Sequence, residues 1–575
     1  MVSTYSRKQV FDRISVLAIV IFILSSSIVL RLFNLQIIQG SFYEALAAGN
    51  HTIYKELYPR RGEVFIKDSK NQKEADFYPV AINIDLNEIY AIPNLIKDYQ
   101  KTAELLTSVL EAPREEIEMR LSKKDDPYEP LAHYVTDEKV EEIKALDLEG
   151  IGFKPEIKRF YPEENLFSHV LGFVGFSDDE RVGQYGVEGF FEETLAGRKG
   201  GITLKKGVLG NWIATSRRTL QKAEDGAGLV LTLDRVIQFA ACSELKIGIE
   251  KYGASAGSVI IMNPRTGAIL ALCAEPNFDP NNYSQVENIN VYINQVISHA
   301  YEPGSIFKVI TMAAGLDSGK VTPKTTYEDV GMLEIDDHKI RNSDLKAHGV
   351  VNMTTVLEES LNLGAVFVAQ QVGQQNFKDY VEKFGFASST GIELGSEGLG
   401  NISSLNKGGE IYLATASYGQ GITVTAIQMI TSFTPIVMNG NLVKPHIVAS
   451  ILKPDGEVIK TEPRLVPGVI TPATAKMLSA MLVSVVRSGH AKKAGVPGYY
   501  VAGKTGTAQV AKGGGYSNLT IHSFVGFVPV DNPAFIALVK LDYPTNVLYA
   551  ADSAAPIFGK IAKFVLDYYQ IPPDY

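Results

Sequence analysis

The sequence predicts a mixed α/β (α+β) fold for the larger, C-terminal part of the chain. One antiparallel sheet is assembled from chain-distant segments, with helices on both faces and a helical subdomain inserted between its strands. Three observations carry this. Gly257–Met262 and Ala268–Ala274 read as strands joined by the turn Asn263-Pro264-Arg265-Thr266-Gly267, a hairpin. Tyr499–Val510, His522–Val528 and Phe535–Leu541 read as three more strands, and Tyr543-Pro544 stops the last. The residues between the two groups are mostly helical in pattern, and Ala550–Tyr569 closes the chain as a helix over one face.

Earlier elements follow from the same signals. Leu229–Leu233 is a short apolar run ending at Asp234, which is placed to cap a helix over Arg235–Glu250. Upstream, Thr102–Leu110 and Arg114–Leu121 read as short helices, and Val135–Leu146 as another with alternating charges on a solvated face. Tyr58-Pro59-Arg60-Arg61-Gly62 is a turn before the alternation of Val64 and Ile66. Glycines then cluster at 183, 186, 189, 197, 200 and 201.

Composition narrows the function class. The 575 residues exceed one core and imply about two to four folded units. With 55 Lys and Arg against 64 Asp and Glu, the net charge is −9, which argues against a nucleic-acid partner. Charged residues at 21% and aromatics at 9% exclude wholesale disorder. Cys242 and Cys273 alone exclude a disulfide scaffold, and whether they pair is open. No HExxH or CxxC pattern occurs, so no metal and no cofactor is expected.

Ile14–Leu30 is an uncharged apolar run of about 17 residues, the lower end of what a helix needs to cross a bilayer. Its serines can bond back to helix carbonyls. It is long for a signal-peptide core, and Ala45-Leu46-Ala47 lies too far downstream for a cleavage site. Arg7, Lys8 and Arg13 precede it against one Asp12, which orients the N-terminus to the cytoplasm and the body outside. The expected organisation is a tail at 1–13, a transmembrane anchor at 14–35, a non-catalytic region at 36–225 and a catalytic domain at 226–575.

Gly498–Thr505, GYYVAGKT, satisfies the P-loop pattern, but its interior is strand-like and Gly506-Thr507 follow where a helix should begin. A different chemistry fits better. Pro303-Gly304 sets a helix start, and Ser305 and Lys308 stand at i and i+3, on one helical face. Lysine can take the proton of a serine hydroxyl only if burial or neighbours lower its pKa. Ser360-Leu361-Asn362, about 55 residues on, adds a hydroxyl and an amide. In the predicted strand Tyr499–Val510, Lys504 and Gly506 point one way and Thr505 the other. Ser-x-x-Lys, Ser-x-Asn and Lys-Thr-Gly form a known set in penicillin-recognising serine enzymes.

The sequence thus resembles the monofunctional, class B penicillin-binding proteins. Glu302–Lys308 resembles their nucleophile box, Tyr418–Thr425 with Ile427-Gln428 their GQG segment, and Val501–Gln509 their KTG strand. Arg61-Gly62-Glu63-Val64 and Gly183–Glu188 resemble signature segments of the non-catalytic pedestal, a dimerisation-type domain. Ile306 and Leu361 stand where the family more often has Thr and Ser.

The resemblance implies a penicillin-binding transpeptidase fold and a peptidoglycan D,D-transpeptidase acting on stem peptides that end in D-Ala-D-Ala. Ser305 attacks the penultimate carbonyl and Lys308 accepts its proton. Backbone N–H groups of Ser305 and Thr507 form the oxyanion hole. Ser360 relays a proton to the departing D-Ala, and Asn362 holds Lys308 and the substrate amide. Lys504 and Thr505 bind the terminal carboxylate, and Gly506 keeps the acyl peptide unobstructed. An amine from a neighbouring stem resolves the acyl-enzyme, and β-lactams acylate Ser305 by mimicry. Implied partners are the membrane, a SEDS-family glycosyltransferase of the FtsW type and other cell-division proteins, with a septal role favoured by the modest pedestal.

The nine scattered histidines and Trp212 read as structural, with His522, just before a strand beside the site, the one histidine singled out, and Arg61 and Glu188 read as domain-organising residues. The competing readings are a β-lactamase or D,D-carboxypeptidase on the same fold, a β-lactam sensor, and a catalytically silent division scaffold. The pedestal, the single anchor and the intact motif set respectively weigh against them.

Overall fold

The computed structural model describes residues 13–33, 36, 52–67, 77–177, 180–205, 219–512 and 515–575. Trp212 lies outside them. The chain divides into two compact units, Met1–Arg60 with Gly197–Asp225, and Arg61–Ala196 with Gly226–Tyr575. Residues 61–196 therefore belong with 226–575.

In the first unit a helix spans Arg13–Phe33. Among the described residues, no helix is long and apolar enough to cross a membrane. The unit also holds a three-stranded antiparallel sheet, with Gly200–Lys205 between Thr52–Leu57 and Thr219–Gln221.

The second unit contains two large sheets. In one, Val64–Lys67 pairs in parallel with Gly228–Leu231 and antiparallel with Phe77–Ala91. On Phe77–Ala91 lie Glu129–Val135 and Ile151–Phe160. The short helices form at Tyr99–Leu110 and Arg114–Leu121, burying Leu106, Ile117 and Leu121. The expected helix Val135–Leu146 starts later, at Asp137, because Val135 ends a strand and Thr136 takes the N-cap position.

Arg61 and Glu188 do organise this region. Glu188 is fully buried and accepts from Arg61 Nε at 2.6 Å, Arg159 Nε at 2.7 Å and Tyr161 Oη at 3.3 Å. Burial alone would raise the carboxyl pKa, but Arg159 and Arg61 outweigh it and hold the group below its ordinary value. The glycine at 183 follows: a Cβ there would lie 2.1 Å from Glu188 O and 2.4 Å from Arg61 Nη2.

The other sheet is the one predicted. Its strands are β1 (Ala256–Met262), β2 (Ile269–Glu275), β3 (Ala502–Lys512), β4 (Gly515–Val528) and β5 (Phe535–Asp542), in the order β2-β1-β5-β4-β3. Every neighbouring pair is antiparallel. The central β5 is buried at every residue. The preceding helix α1 (Arg235–Tyr252) is capped by Asp234, whose carboxylate accepts from Val236 and Ile237 N–H. Gln238 of α1 bonds both ways to the Leu272 backbone on β2. The open cysteine question resolves here: Cys242 of α1 and Cys273 of β2 form a disulfide.

Helices cover both faces because neighbouring strand residues face opposite ways. Phe524 of β4 packs on Phe558 of the closing helix, with ring centroids 4.7 Å apart. The adjacent Ser523 lies on the other face, toward the Ser305 turn. The inserted residues supply α2 (Lys308–Asp317), α3 (Asn362–Val372) and several further helices.

Candidate active site

Ser305 stands in a one-turn 3₁₀ segment, Gly304–Phe307, that runs directly into α2. The tight turn is held from two sides. Gly304 N–H donates to Gly419 O at 3.0 Å, and both glycines have positive φ, +56° and +81°. A Cβ on Gly419 would lie 2.2 Å from Gly304 O, so the GQG segment lies flush on the nucleophile turn. On the opposite side a Cβ on Gly304 would meet Ala508 of β3 at 3.0 Å. Glu302 ties the turn to the same segment by accepting Gly421 N–H at 2.9 Å.

Ser305 is half-buried, while Lys308 is 1% and Lys504 0% exposed. The two lysines converge on Ser360. Lys308 Nζ donates to Ser360 O at 2.5 Å and to Oγ at 3.3 Å, and Lys504 Nζ donates to the same Oγ at 2.9 Å. Lys504 also donates to Thr505 O at 3.2 Å. Burial, and then the charge of Lys504, pulls the Lys308 amine well below its ordinary pKa. Burial brings Lys504 down to about 7. Lys308 therefore meets the condition for a base, an amine whose pKa is lowered by burial and a neighbouring cation.

Three expectations change in detail. Lys308 hydrogen-bonds Ser360 rather than Ser305, since the 3₁₀ turn places the serine differently from a regular i, i+3 helical pair. Asn362 does not hold Lys308: its Nδ2 donates to Arg341 O at 2.8 Å. Gly506 is required by the protein itself, because a Cβ there would press on Ile306 Cγ1 and Pro303 O, both at 2.9 Å, before reaching any substrate.

Thr505 is nearly buried, and Thr507 Oγ1 accepts Ala550 N–H at 3.0 Å, leaving its own hydroxyl hydrogen to donate. Because β3 is an edge strand, alternate backbone groups on its outer side are free to pair with an extended ligand. The P-loop pattern starts in a turn and becomes strand at Ala502, with Lys504 inside β3 and no helix following. His522 is buried against Ser553 Oγ and Thr520 Oγ1, with burial lowering its pKa to about 4, a structural histidine. Among the described residues no group of three or more His, Cys, Asp or Glu side chains is placed to hold a metal.

Comparison with known proteins meets this geometry. The penicillin binding protein transpeptidase domain matches residues 257–563, more than half of the chain, and the penicillin-binding protein dimerisation domain matches 57–231. The chain belongs to the class B penicillin-binding proteins. Stage V sporulation protein D of Bacillus subtilis is 32% identical, over 93% of this chain and 82% of its own length. The probable peptidoglycan D,D-transpeptidase PenA of Neisseria meningitidis is 28% identical over 98% and 93%. Among solved structures, penicillin binding protein 3 of Mycobacterium tuberculosis complexed with aztreonam superposes with a TM-score of 0.69 at 24% identity, covering 91% of this chain and 98% of that one. Penicillin binding protein 2X of Streptococcus thermophilus gives 0.73 at 21%, covering 91% and 83%. In this class B penicillin-binding protein the motifs quoted from the sequence sit on one turn, one helix start and one edge strand.

Proposed function

We propose that the chain is a membrane-anchored peptidoglycan D,D-transpeptidase of septal wall synthesis and a target of β-lactams. The observation that carries the chemistry is the convergence of two buried lysines on Ser360, beside the Ser305 turn. Neutral Lys308 removes the Ser305 proton, directly or through Ser360, as the oxygen attacks the penultimate D-Ala carbonyl. Ser360 Oγ then passes a proton to the leaving D-Ala nitrogen. The Ser305 and Thr507 N–H groups stabilise the oxyanion. Lys504, Thr505 and Thr507 take the terminal carboxylate, and Asn362 presents its carbonyl oxygen toward the substrate amide. The amine of a second stem peptide resolves the ester and completes the cross-link.

Labelling with fluorescent penicillin tests this. Wild-type chain is expected to take up one stable equivalent and Ser305→Ala none. An unlabelled wild type would defeat the reading, and rapid release of the label would favour a β-lactamase.

The pH profile is a second test. Acylation needs Lys308 neutral, so kcat/KM should fall as pH drops through its lowered pKa. Carboxylate binding needs Lys504 charged, so kcat/KM should also fall as pH rises past about 7 in the free enzyme. A bell is expected, measured as the second-order acylation rate against pH. A plateau extending to pH 10 would exclude Lys504 as the carboxylate's counter-charge.

The anchor rests on the Ile14–Leu30 run, and the orientation on Arg7, Lys8 and Arg13. An extracytoplasmic body is supported by the Cys242–Cys273 disulfide, a bond favoured in oxidising compartments. The partner we propose is a SEDS-family glycosyltransferase together with other cell-division proteins. The relative named for sporulation favours a second reading, wall synthesis during spore formation. Imaging a tagged chain separates the two: signal at mid-cell during growth supports division, and signal confined to sporulating cells supports the alternative.

A further inference from the structure

The Ser360-Leu361-Asn362 motif is gripped by residues that none of the chemistry above uses. Helix α3 starts at Asn362, yet the residue in its N-cap position, Leu361, has no side-chain acceptor to offer. Backbone N–H groups of a first turn need partners. One partner comes from a distance, where Asn342 Oδ1 accepts Leu363 N–H at 3.3 Å. The preceding Arg341 supplies the carbonyl that takes Asn362 Nδ2 at 2.8 Å. Two consecutive residues at the end of the hairpin Met332–Ile335/His338–Arg341 therefore hold two consecutive residues of the motif helix.

Asn342 is itself fixed. It is 2% exposed, and its amide nitrogen lies 2.9 Å from both oxygens of Asp329 and 3.1 Å from Lys346 O. Asp329, 1% exposed, also accepts from Tyr327 Oη at 2.7 Å and Gly331 N–H at 2.9 Å. A buried carboxylate is costly unless its oxygens are satisfied. Here those bonds orient the Asn342 amide so that its oxygen faces α3. The group being held matters, because Ser360 sits just ahead with φ +56°, a left-handed backbone that a serine keeps only where its surroundings enforce it. Its carbonyl and hydroxyl are the acceptors that place Lys308 and Lys504.

We propose that Asn342, oriented by Asp329, is a positioning residue that sets Ser360 between the two lysines and so governs the acylation of Ser305. This rests on the transpeptidase reading, because acylation is the readout. Asn342→Ala removes the acceptor for Leu363 N–H. It is expected to lower the first-order acylation rate constant for benzylpenicillin about 10- to 100-fold, the range that a misplacement of about 1 Å produces. The dissociation constant of the complex formed before acylation should change by less than about threefold on the same reasoning. Asp329→Asn leaves Asn342 in place but removes one of the two acceptors that fix its amide, and should lower the rate constant in the same direction. An Asn342→Ala rate within twofold of wild type would overturn the proposal. So would losses of rate and unfolding temperature in parallel in both variants, which would mark a structural role only. Absence of label on the wild-type chain would defeat the transpeptidase reading instead, so the two failures are distinguishable.

Discussion

Replacing Lys308 by methionine is expected to slow acylation of Ser305 by about 10²–10⁴-fold, the usual contribution of a positioned general base. Methionine keeps the apolar bulk of a residue that is 1% exposed, so the pocket stays filled. What disappears is the amine that donates to Ser360 O and Oγ. Lys504 remains to bind a carboxylate, so the initial binding step should be far less affected than the covalent one. Pre-steady-state labelling with penicillin separates the two constants. A rate constant within threefold of wild type would show that another group takes the Ser305 proton. The chemistry has no alternative neutral base in view, since Lys504 is the group needed in its charged form.

The largest stability effect is expected at Glu188, far from this chemistry in sequence. Glu188→Ala removes the shared partner of Arg61 and Arg159 and leaves Arg159 without a carboxylate, while Arg61 keeps Glu192 Oε2 at 2.7 Å. The Arg61 and Arg159 side chains are 11% and 5% exposed, and Glu188 is fully buried. Removing one partner of a buried ion pair typically costs about 3–5 kcal/mol. The measurement is urea unfolding of the full-length chain followed by tryptophan-independent far-UV dichroism, with the early transition assigned by proteolysis. The same group gives a pH dependence of stability. Its folded pKa lies below the ordinary 4.5, so its contribution is complete above that value and is lost as pH falls through the lowered pKa. An unchanged unfolding profile in Glu188→Ala would show that the arginines find other partners.

The sequence made the catalytic sheet legible because its strands combine β-branched runs with turn signals at their ends. The hairpin of β1 and β2, the three C-terminal strands and the Asp234 cap all depend on local chemistry. Arg61 and Glu188 were visible as motif residues, but Arg159 and Tyr161, which share the same carboxylate, carry no local signal. They reach it across residues 159 to 188 only after the sheet has formed. The site shows the same division. The motif serines and lysines could be named from their spacing, whereas the hydrogen-bond partner of Lys308 could not. Helical spacing suggested Ser305, whereas the 3₁₀ turn at Gly304–Phe307 and the positive φ of Ser360, just before α3, direct the amine to Ser360 instead. Asn342 and Asp329 look like loop residues in one dimension, and only the fold brings them against α3.

The order of strands in the catalytic sheet also governs when the enzyme can come into existence. β1 pairs with β2 a few residues away, but its other edge waits for β5, where Met262 meets Ile536. A chain emerging from its N-terminus can therefore form the hairpin and the Cys242–Cys273 bond early, while the open edge of β1 stays unpaired until nearly the whole sequence has been delivered. Such non-local pairing slows folding and leaves an exposed edge for that interval. Acylation competence should accordingly appear in one late step of biosynthesis, once residues 502–542 have joined the sheet, and chains truncated before Phe535 should never bind penicillin covalently.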